Sequence, residues 1–113
     1  MEFKLNNDRS IPAVGLGTFR AKGDESYEAV KHALETGYRH VDTAVAYRNE
    51  EDVGRALADS SVPREDIFVT TKVWNTAHTK GDAATMIDES LSRLTLDYID
   101  LVLIHWPYTY ERN

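Results

Sequence analysis

The 113-residue chain contains no cysteine, so it can form neither a disulfide framework nor a thiolate metal site, and it suits a reducing cytoplasm. No apolar run is long enough to span a membrane, and no signal-like hydrophobic segment follows Met1. Basic residues are also scarce, since 13 Lys and Arg against 19 Asp and Glu give a formal net charge of -6. Such a charge disfavours nucleic-acid binding. We therefore predict a cytoplasmic protein without membrane or nucleic-acid partners.

Apolar stretches recur along the chain in the lengths typical of strands. Residues 3–14 form two short apolar arms around a polar turn, which predicts a terminal β-hairpin. Residues 14–19 predict a further short strand. Longer strands are predicted over residues 38–44, 67–74 and 98–106, because β-branched and aromatic residues are concentrated there.

Three helices are predicted between these strands, because apolar residues recur there at helical spacing. Asp24, Asn49 and Asp82 are the expected N-terminal caps, and Gly37 is expected to end the first helix. Strands that alternate with helices form parallel sheets with right-handed crossovers. No linker interrupts the pattern, so we predict a single α/β domain over residues 1–113.

Polar side chains stand at or just after the ends of three predicted strands. Asp42 and Tyr47 follow one strand, and Lys72 and His105 close the next two. Because the loops after parallel strands open onto one face, the four side chains are expected to converge. Asp42 would then pair with Lys72, whose ammonium group would stabilise the phenolate of Tyr47, while a neutral His105 would donate to a substrate oxygen. This arrangement suits proton transfer to a carbonyl oxygen, with hydride from a separate cofactor.

Each of these residues also has a purely structural interpretation. Asp42 could be a strand-end cap, Tyr47 a packing residue and His105 a satisfied core residue. Lys72 is harder to account for in this way, because buried lysines are rare unless they are paired or used. Asp42 and His105 could also bind a metal, but two ligands without a third make a weak site, so we predict none.

Further aromatic and histidine residues are open to more than one interpretation. Trp74 and Trp106 stand beside Lys72 and His105, where they could line a pocket or fill the end of a barrel. The glycines within residues 14–19 do not form the GxGxxG dinucleotide fingerprint. The remaining histidines lack metal-ligand spacing and are predicted to be structural or exposed: His32, His40 and His78.

Two segments resemble the signatures of the aldo-keto reductases. GYRHVDTAVAYRNEEDVG, residues 37–54, is similar to the first signature, and MIDESLSRLTLDYIDLVLIHWP, residues 86–107, is similar to the second. The resemblance implies a parallel (β/α)8 barrel of the TIM type that reduces aldehydes or ketones to alcohols with NADPH. It covers the N-terminal hairpin and the first four strand-helix units, while the later strands and most of the cofactor site have no counterpart.

The resemblance also implies roles for single residues. Tyr47 matches the proton donor, Lys72 the lysine that supports it, Asp42 the partner of that lysine, and His105 the histidine that orients the carbonyl. Cofactor contacts are implied for Gly17, Thr18 and Asp42. Substrate contacts are implied for Phe19, Tyr47, Trp74, His105 and Trp106.

Three interpretations of function follow. The favoured one is the N-terminal part of an aldo-keto reductase, whose chemistry belongs to the complete barrel. The second is a non-catalytic half-barrel module that self-associates as a homodimer through exposed sheet edges. The third is a metal-dependent barrel enzyme that uses Asp42 and His105. Neither the particular carbonyl substrate nor the choice of NADPH over NADH follows from these residues alone.

Overall fold

The computed structural model describes residues 1–107, which form six β-strands and three α-helices. Two short 3₁₀ turns lie at Val45–Tyr47 and Arg64–Asp66. The strands and helices, in chain order, are β1 (Glu2–Lys4), β2 (Ser10–Pro12), β3 (Leu16–Gly17), α1 (Asp24–Glu35), β4 (His40–Asp42), α2 (Glu50–Asp59), β5 (Phe68–Val73), α3 (Lys80–Leu94) and β6 (Leu101–Ile104).

The predicted hairpin and the parallel sheet are both confirmed. β1 pairs antiparallel with β2, and Phe3 lies opposite Ile11. The four other strands form a parallel sheet in the order β3-β4-β5-β6. Asp42 of β4 lies opposite both Gly17 of β3 and Thr70 of β5. The C-terminal ends of all four strands therefore lie on the same side of the sheet.

The helices cover one face of this sheet. Side chains alternate between the two faces of a strand, so Val41 faces the helices and is fully buried, while His40 and Asp42 point to the other face. The core between sheet and helices consists of Val30, Leu34, Val41, Val53, Ala56, Leu57, Ile67, Val69 and Leu94. The polar strand ends thus rest on a well-packed apolar layer.

Helices α2 and α3 approach each other unusually closely. A Cβ atom placed on Gly54 of α2 would lie only 2.5 Å from the carbonyl oxygen of Leu94 at the end of α3. Beside this contact, the buried carboxylate of Glu50 accepts hydrogen bonds from Arg93 Nε at 2.9 Å and from Thr71 Oγ1 at 2.8 Å. Helix α2 is therefore joined to both α3 and β5.

The predicted helix caps are partly wrong. Asp24 is the first residue of α1, and Gly23, at φ 56°, occupies the N-cap position before it. Asn49 does occupy the N-cap position of α2, but its side chain makes no capping hydrogen bond. Helix α3 is capped by Thr79, which exchanges hydrogen bonds with Asp82 in a capping box. The expected end of α1 is confirmed.

The three long strands are shorter than predicted. The paired segments are His40–Asp42, Phe68–Val73 and Leu101–Ile104, because the flanking residues leave the ladder to form the loops that carry polar side chains. The chain stays close to the sheet just beyond β6, where the His105 N–H donates to the carbonyl of Val73 at 3.1 Å. No helix within residues 1–107 combines the length and apolarity needed to cross a membrane.

Candidate active site

The structure brings the four predicted polar residues together at the C-terminal edge of the parallel sheet. Asp42 is the last residue of β4, and Tyr47 lies in the 3₁₀ turn that follows it. Lys72 is in the last part of β5, and His105 comes directly after β6. Parallel pairing places these three strand ends side by side, so residues far apart in sequence become neighbours.

Lys72 is the centre of the cluster. Its Nζ atom lies 2.5 Å from Asp42 Oδ1, 3.1 Å from the carbonyl oxygen of Thr43 and 3.3 Å from the hydroxyl oxygen of Tyr47. The side chain of Lys72 is 14% exposed and that of Asp42 is 30% exposed. A partly buried ammonium group needs such partners, since burial without them would be costly. The ion pair thus holds the lysine charge beside the tyrosine hydroxyl.

Tyr47 is enclosed by aromatic rings on two sides. The centroid of its ring lies 5.2 Å from that of Phe19 and 5.7 Å from that of His105, which it meets edge to face. Lys72 Nζ lies 4.9 Å from the ring centroid, close enough for a cation–π contact. These contacts restrict the orientation of the ring and keep its hydroxyl group beside Lys72 Nζ.

The surroundings of His105 favour its neutral form. Burial, and next the positive charge of Lys72, lower the pKa of His105, and the carboxylate of Asp42 only partly opposes them. Its Nδ1 atom is buried and has no hydrogen-bond partner within residues 1–107. A neutral imidazole carries one N–H group and can donate one hydrogen bond.

Trp74 and Trp106 form an aromatic wall next to His105. The ring centroid of Trp74 lies 5.2 Å from that of His105 and 5.4 Å from that of Trp106. The backbone N–H of Trp74 donates to Met86 Sδ of α3 at 3.0 Å, which fixes the start of the loop after β5. Trp106 is exposed, so this wall has an open side that a ligand could contact.

The loop after β3 borders the cluster on its other side. A Cβ atom at Gly17 would have no atom within 4 Å, so open space lies beside the strand that pairs with Asp42. Phe19 is 64% exposed. Thr18, in contrast, is buried, and its hydroxyl donates to the Asp42 carbonyl oxygen at 3.0 Å. Its hydroxyl is therefore already bonded within the protein, and its predicted cofactor contact stays a prediction.

Two buried residues that support the cluster, Asn49 and Thr43, are not predicted from the sequence. The sequence predicts only a helix cap at Asn49, yet its amide bonds to the carbonyls of Thr18 and Ala21, and Thr43 donates to it. An asparagine before an acidic helix start gives the same sequence signal in either role. Only the positions of these partners, some of them 31 and 28 residues away, distinguish the two roles.

His40 has a structural environment, as predicted. Its Nε2 atom lies 2.9 Å from Thr70 Oγ1, and its ring packs edge to face on Phe68. Burial lowers the pKa of His40, with a smaller contribution from Lys72 in the same direction. In residues 1–107 no group of three or more His, Asp or Glu side chains is placed to hold a metal ion.

A cavity in the described part of the chain lies away from the cluster. It has a volume of about 920 Å³ and lies at the opposite end of the sheet, between the hairpin and residues that include Arg39, Phe68 and Asp100. None of the four clustered residues lines it. We therefore place the candidate site at the strand ends, where the polar groups converge.

The chain is similar to known proteins in both sequence and structure. The sequence profile described as "Aldo/keto reductase family" matches residues 13–112. The chain is 56% identical over 103 residues to glycerol 2-dehydrogenase (NADP(+)) of Saccharomyces cerevisiae, and 54% identical over 104 residues to an aldehyde reductase of the same yeast. These matches cover 91% and 92% of the chain.

A solved structure gives the same picture. An aldo-keto reductase from a Medee basin deep-sea metagenome library superposes with a TM-score of 0.91 at 57% identity, over 94% of this chain and 39% of the other. The sheet, helices and hairpin thus match part of the barrel of that enzyme. The chain spans 32% and 33% of the lengths of the two yeast relatives.

Proposed function

Because the chain belongs to the aldo/keto reductase family, we propose that it carries the proton-transfer residues for reduction of aldehydes or ketones to alcohols with NADPH. The observation that carries this proposal is the 3.3 Å contact between Lys72 Nζ and the Tyr47 hydroxyl, with Asp42 bound to the same ammonium group. A purely structural lysine would need no tyrosine hydroxyl beside it. Names of relatives that include NADP(+) and aldehyde reductase support the choice of cofactor and substrate class.

The residues present fit the reactive end of a nicotinamide cofactor. Gly17 leaves open space opposite Asp42, and the partly exposed Asp42 carboxylate can accept a hydrogen bond there. Gly17 and Asp42, with the backbone of Thr18, would border the bound ring. When bound, NADPH supplies the hydride that reduces the carbonyl carbon.

The residues of this chain supply the proton and orient the substrate. Tyr47 donates its hydroxyl proton to the carbonyl oxygen, which becomes the alcohol, and later regains a proton from solvent. Lys72 stabilises the phenolate left behind, and Asp42 keeps the ammonium group in place. His105, held neutral, donates one hydrogen bond to the carbonyl oxygen. Phe19, Trp74 and Trp106 would contact the rest of the substrate, because Phe19 packs on Tyr47, and Trp74 packs on both His105 and Trp106.

The experiment that tests this function joins residues 1–107 to the part of the yeast glycerol 2-dehydrogenase that follows its matched segment. NADPH oxidation is then followed with a series of aldehydes and ketones, for this chimera and for the 113-residue chain. Tyr47→Phe in the chimera should reduce kcat by about 100-fold or more, the usual effect of losing a general acid. Tyr27→Phe is the matched control, because the Tyr27 hydroxyl donates to Asp59 on the protein surface and not to a residue of the cluster. A Tyr47→Phe chimera as active as the control would disprove the role.

A second candidate function is the non-catalytic, self-associating half-barrel. The observation that favours it is the exposed apolar edge of the sheet, where Ile104 is 71% exposed. In this case the chimera would fold but would not oxidise NADPH with any carbonyl compound. We also propose a cytoplasmic location, which the absence of cysteine supports.

A further inference from the structure

The buried amide of Asn49 joins three segments that border the active site. Its Nδ2 atom donates to the carbonyl oxygens of Thr18 and Ala21 at 2.8 and 2.9 Å. Its Oδ1 atom accepts from Thr43 Oγ1 at 2.7 Å. The residue is 1% exposed. One side chain thus connects the loop after β3, the end of β4 and the start of α2.

Both ends of this connection lie next to groups that touch Tyr47. The loop from Thr18 to Ala21 carries Phe19, whose ring packs on Tyr47 at 5.2 Å. The Thr43 carbonyl oxygen accepts from Lys72 Nζ at 3.1 Å. A change in Asn49 would therefore reach Tyr47 through Thr43 and Lys72 on one side, and through the loop that carries Phe19 on the other.

The chemistry of this position requires an amide. The carbonyl oxygens of Thr18 and Ala21 need hydrogen-bond donors, whereas the Thr43 hydroxyl needs an acceptor. A side-chain amide provides both kinds of group in one plane. Aspartate has the same shape but no donor. Asn49 also forgoes the hydrogen bond that asparagine usually makes at an N-cap, so its side chain serves the loop and not the helix.

We propose that Asn49, oriented by Thr43, is a positioning residue that holds the Phe19 loop against Tyr47 and so sets the substrate side of the site. The proposal rests on the proposed function. The loop has few other restraints in this part of the chain: the Thr18 N–H and hydroxyl bond to Asp42, and the Ala21 N–H bonds to Thr18. Phe19 itself is mostly exposed.

The first test is made by NMR on the 113-residue chain with labelled Phe, Tyr and His rings. Asn49→Asp should lose the nuclear Overhauser contact between Phe19 and Tyr47 and keep the contact between Tyr47 and His105. Thr43→Val, which has the same shape, should weaken the Phe19 contact, and Thr43→Ser should restore it. Asn6→Asp, the same change in the exposed hairpin turn, should leave both contacts in place.

The second test is kinetic and uses the chimera described above, with NADPH and an aldehyde. Asn49→Asp should raise KM for the aldehyde about tenfold while kcat changes less than about twofold, because buried carbonyls lose their donors but the proton donor keeps its partners. A role in stability alone would instead lower the apparent kcat with the folded fraction and leave KM unchanged.

The outcomes separate this inference from the proposed function. The inference is overturned if the chain lacks the Phe19 contact, if Asn49→Asp and Thr43→Val both keep it, or if both contacts vanish together. If Asn49→Asp does not fold, the comparison of Thr43→Val with Thr43→Ser decides. If the chain shows the contacts but the chimera shows no turnover, the proposed activity is contradicted, and the NMR result alone then decides the role of Asn49.

Discussion

At the scale of single residues, the ion pair between Asp42 and Lys72 is the contact on which the proposed role of Tyr47 depends. The two atoms are 2.5 Å apart, and both side chains are less than one-third exposed. A pair with this geometry and burial contributes more than an exposed one, because solvent screens it less.

We expect Asp42→Asn to lower kcat/KM of the chimera by about 10- to 100-fold, because a neutral amide loses the charge attraction to the ammonium group, and hydrogen bonds to charged groups are worth about 1.5–3 kcal/mol. The substitution keeps the shape of the side chain and removes only its charge. Asp8→Asn is the control, because Asp8 pairs with Lys4 on the exposed hairpin. Steady-state NADPH oxidation measures both variants, and equal activity of the two would contradict the prediction.

The histidines give the chain a pH-dependent stability. Burial and Lys72 lower the pKa of His105, and burial lowers the pKa of His40. Below the unfolded value of about 6.5, the unfolded chain takes up protons that the folded chain does not. The free energy of unfolding should therefore fall as the pH falls through this value, and should stop falling below the folded pKa.

His105→Gln should reduce the loss of unfolding free energy at low pH, because His105 is one of the two histidines that cause it. The measurement is urea denaturation of the 113-residue chain at several values between about pH 7.5 and 5.5. His32→Gln is the matched control, since His32 is exposed at the end of α1. A pH dependence that is unchanged in His105→Gln would show that the histidine does not titrate as its surroundings imply.

At the scale of elements, the contact between α2 and α3 depends on the absence of a side chain at Gly54. Glycine within a helix normally costs about 1 kcal/mol relative to alanine. At this position alanine should instead be less stable than glycine. The added Cβ atom would lie 2.5 Å from the backbone oxygen of Leu94, which cannot move without shifting the helix.

We expect Gly54→Ala to lower the free energy of unfolding by about 1–3 kcal/mol, the usual effect of overpacking. Gly81→Ala is the control, because a Cβ there would meet only Thr79 Oγ1 at 3.6 Å, so it should be neutral or stabilising by up to about 1 kcal/mol. Urea denaturation compares both variants. If Gly54→Ala were as stable as Gly81→Ala, the two helices could separate without cost.

The elements also differ in how far the sequence predicts them. The polar strand ends follow well from the sequence, because an apolar β-branched run that stops at Lys72 is typical of a buried strand with a paired lysine at its end. The helix caps are predicted poorly from the sequence. At α3, Asp82 and Thr79 bond to each other, so either could be the cap from sequence alone. The Asn49 side chain bonds to the distant carbonyls of Thr18 and Ala21 instead of capping its own helix. The residues around Asn49 in the sequence do not distinguish these two possibilities.

At the scale of the whole molecule, the sheet of residues 1–107 is open on both sides. β3 and β6 are its outer strands, so each has one unpaired backbone edge within the described part. Closed barrels remove such edges. The relatives match this chain over 32% and 33% of their lengths, and the rest of their chains would provide the missing neighbours in a complete barrel.

For the 113 residues alone, we expect two copies to cover these edges. A two-fold axis would place β6 of one copy beside β3 of the other on both sides, which keeps the strands parallel and closes eight of them. Apolar side chains near the edges favour this dimer, since Val14, Ile104 and Trp106 are each more than half exposed.

Ile104→Lys, which puts a charge on the β6 edge, should convert the dimer to monomer at micromolar concentration in light scattering. Phe3→Lys should not, because the hairpin lies away from that edge. A compact, cooperatively folded monomer in the unmodified chain would contradict the prediction.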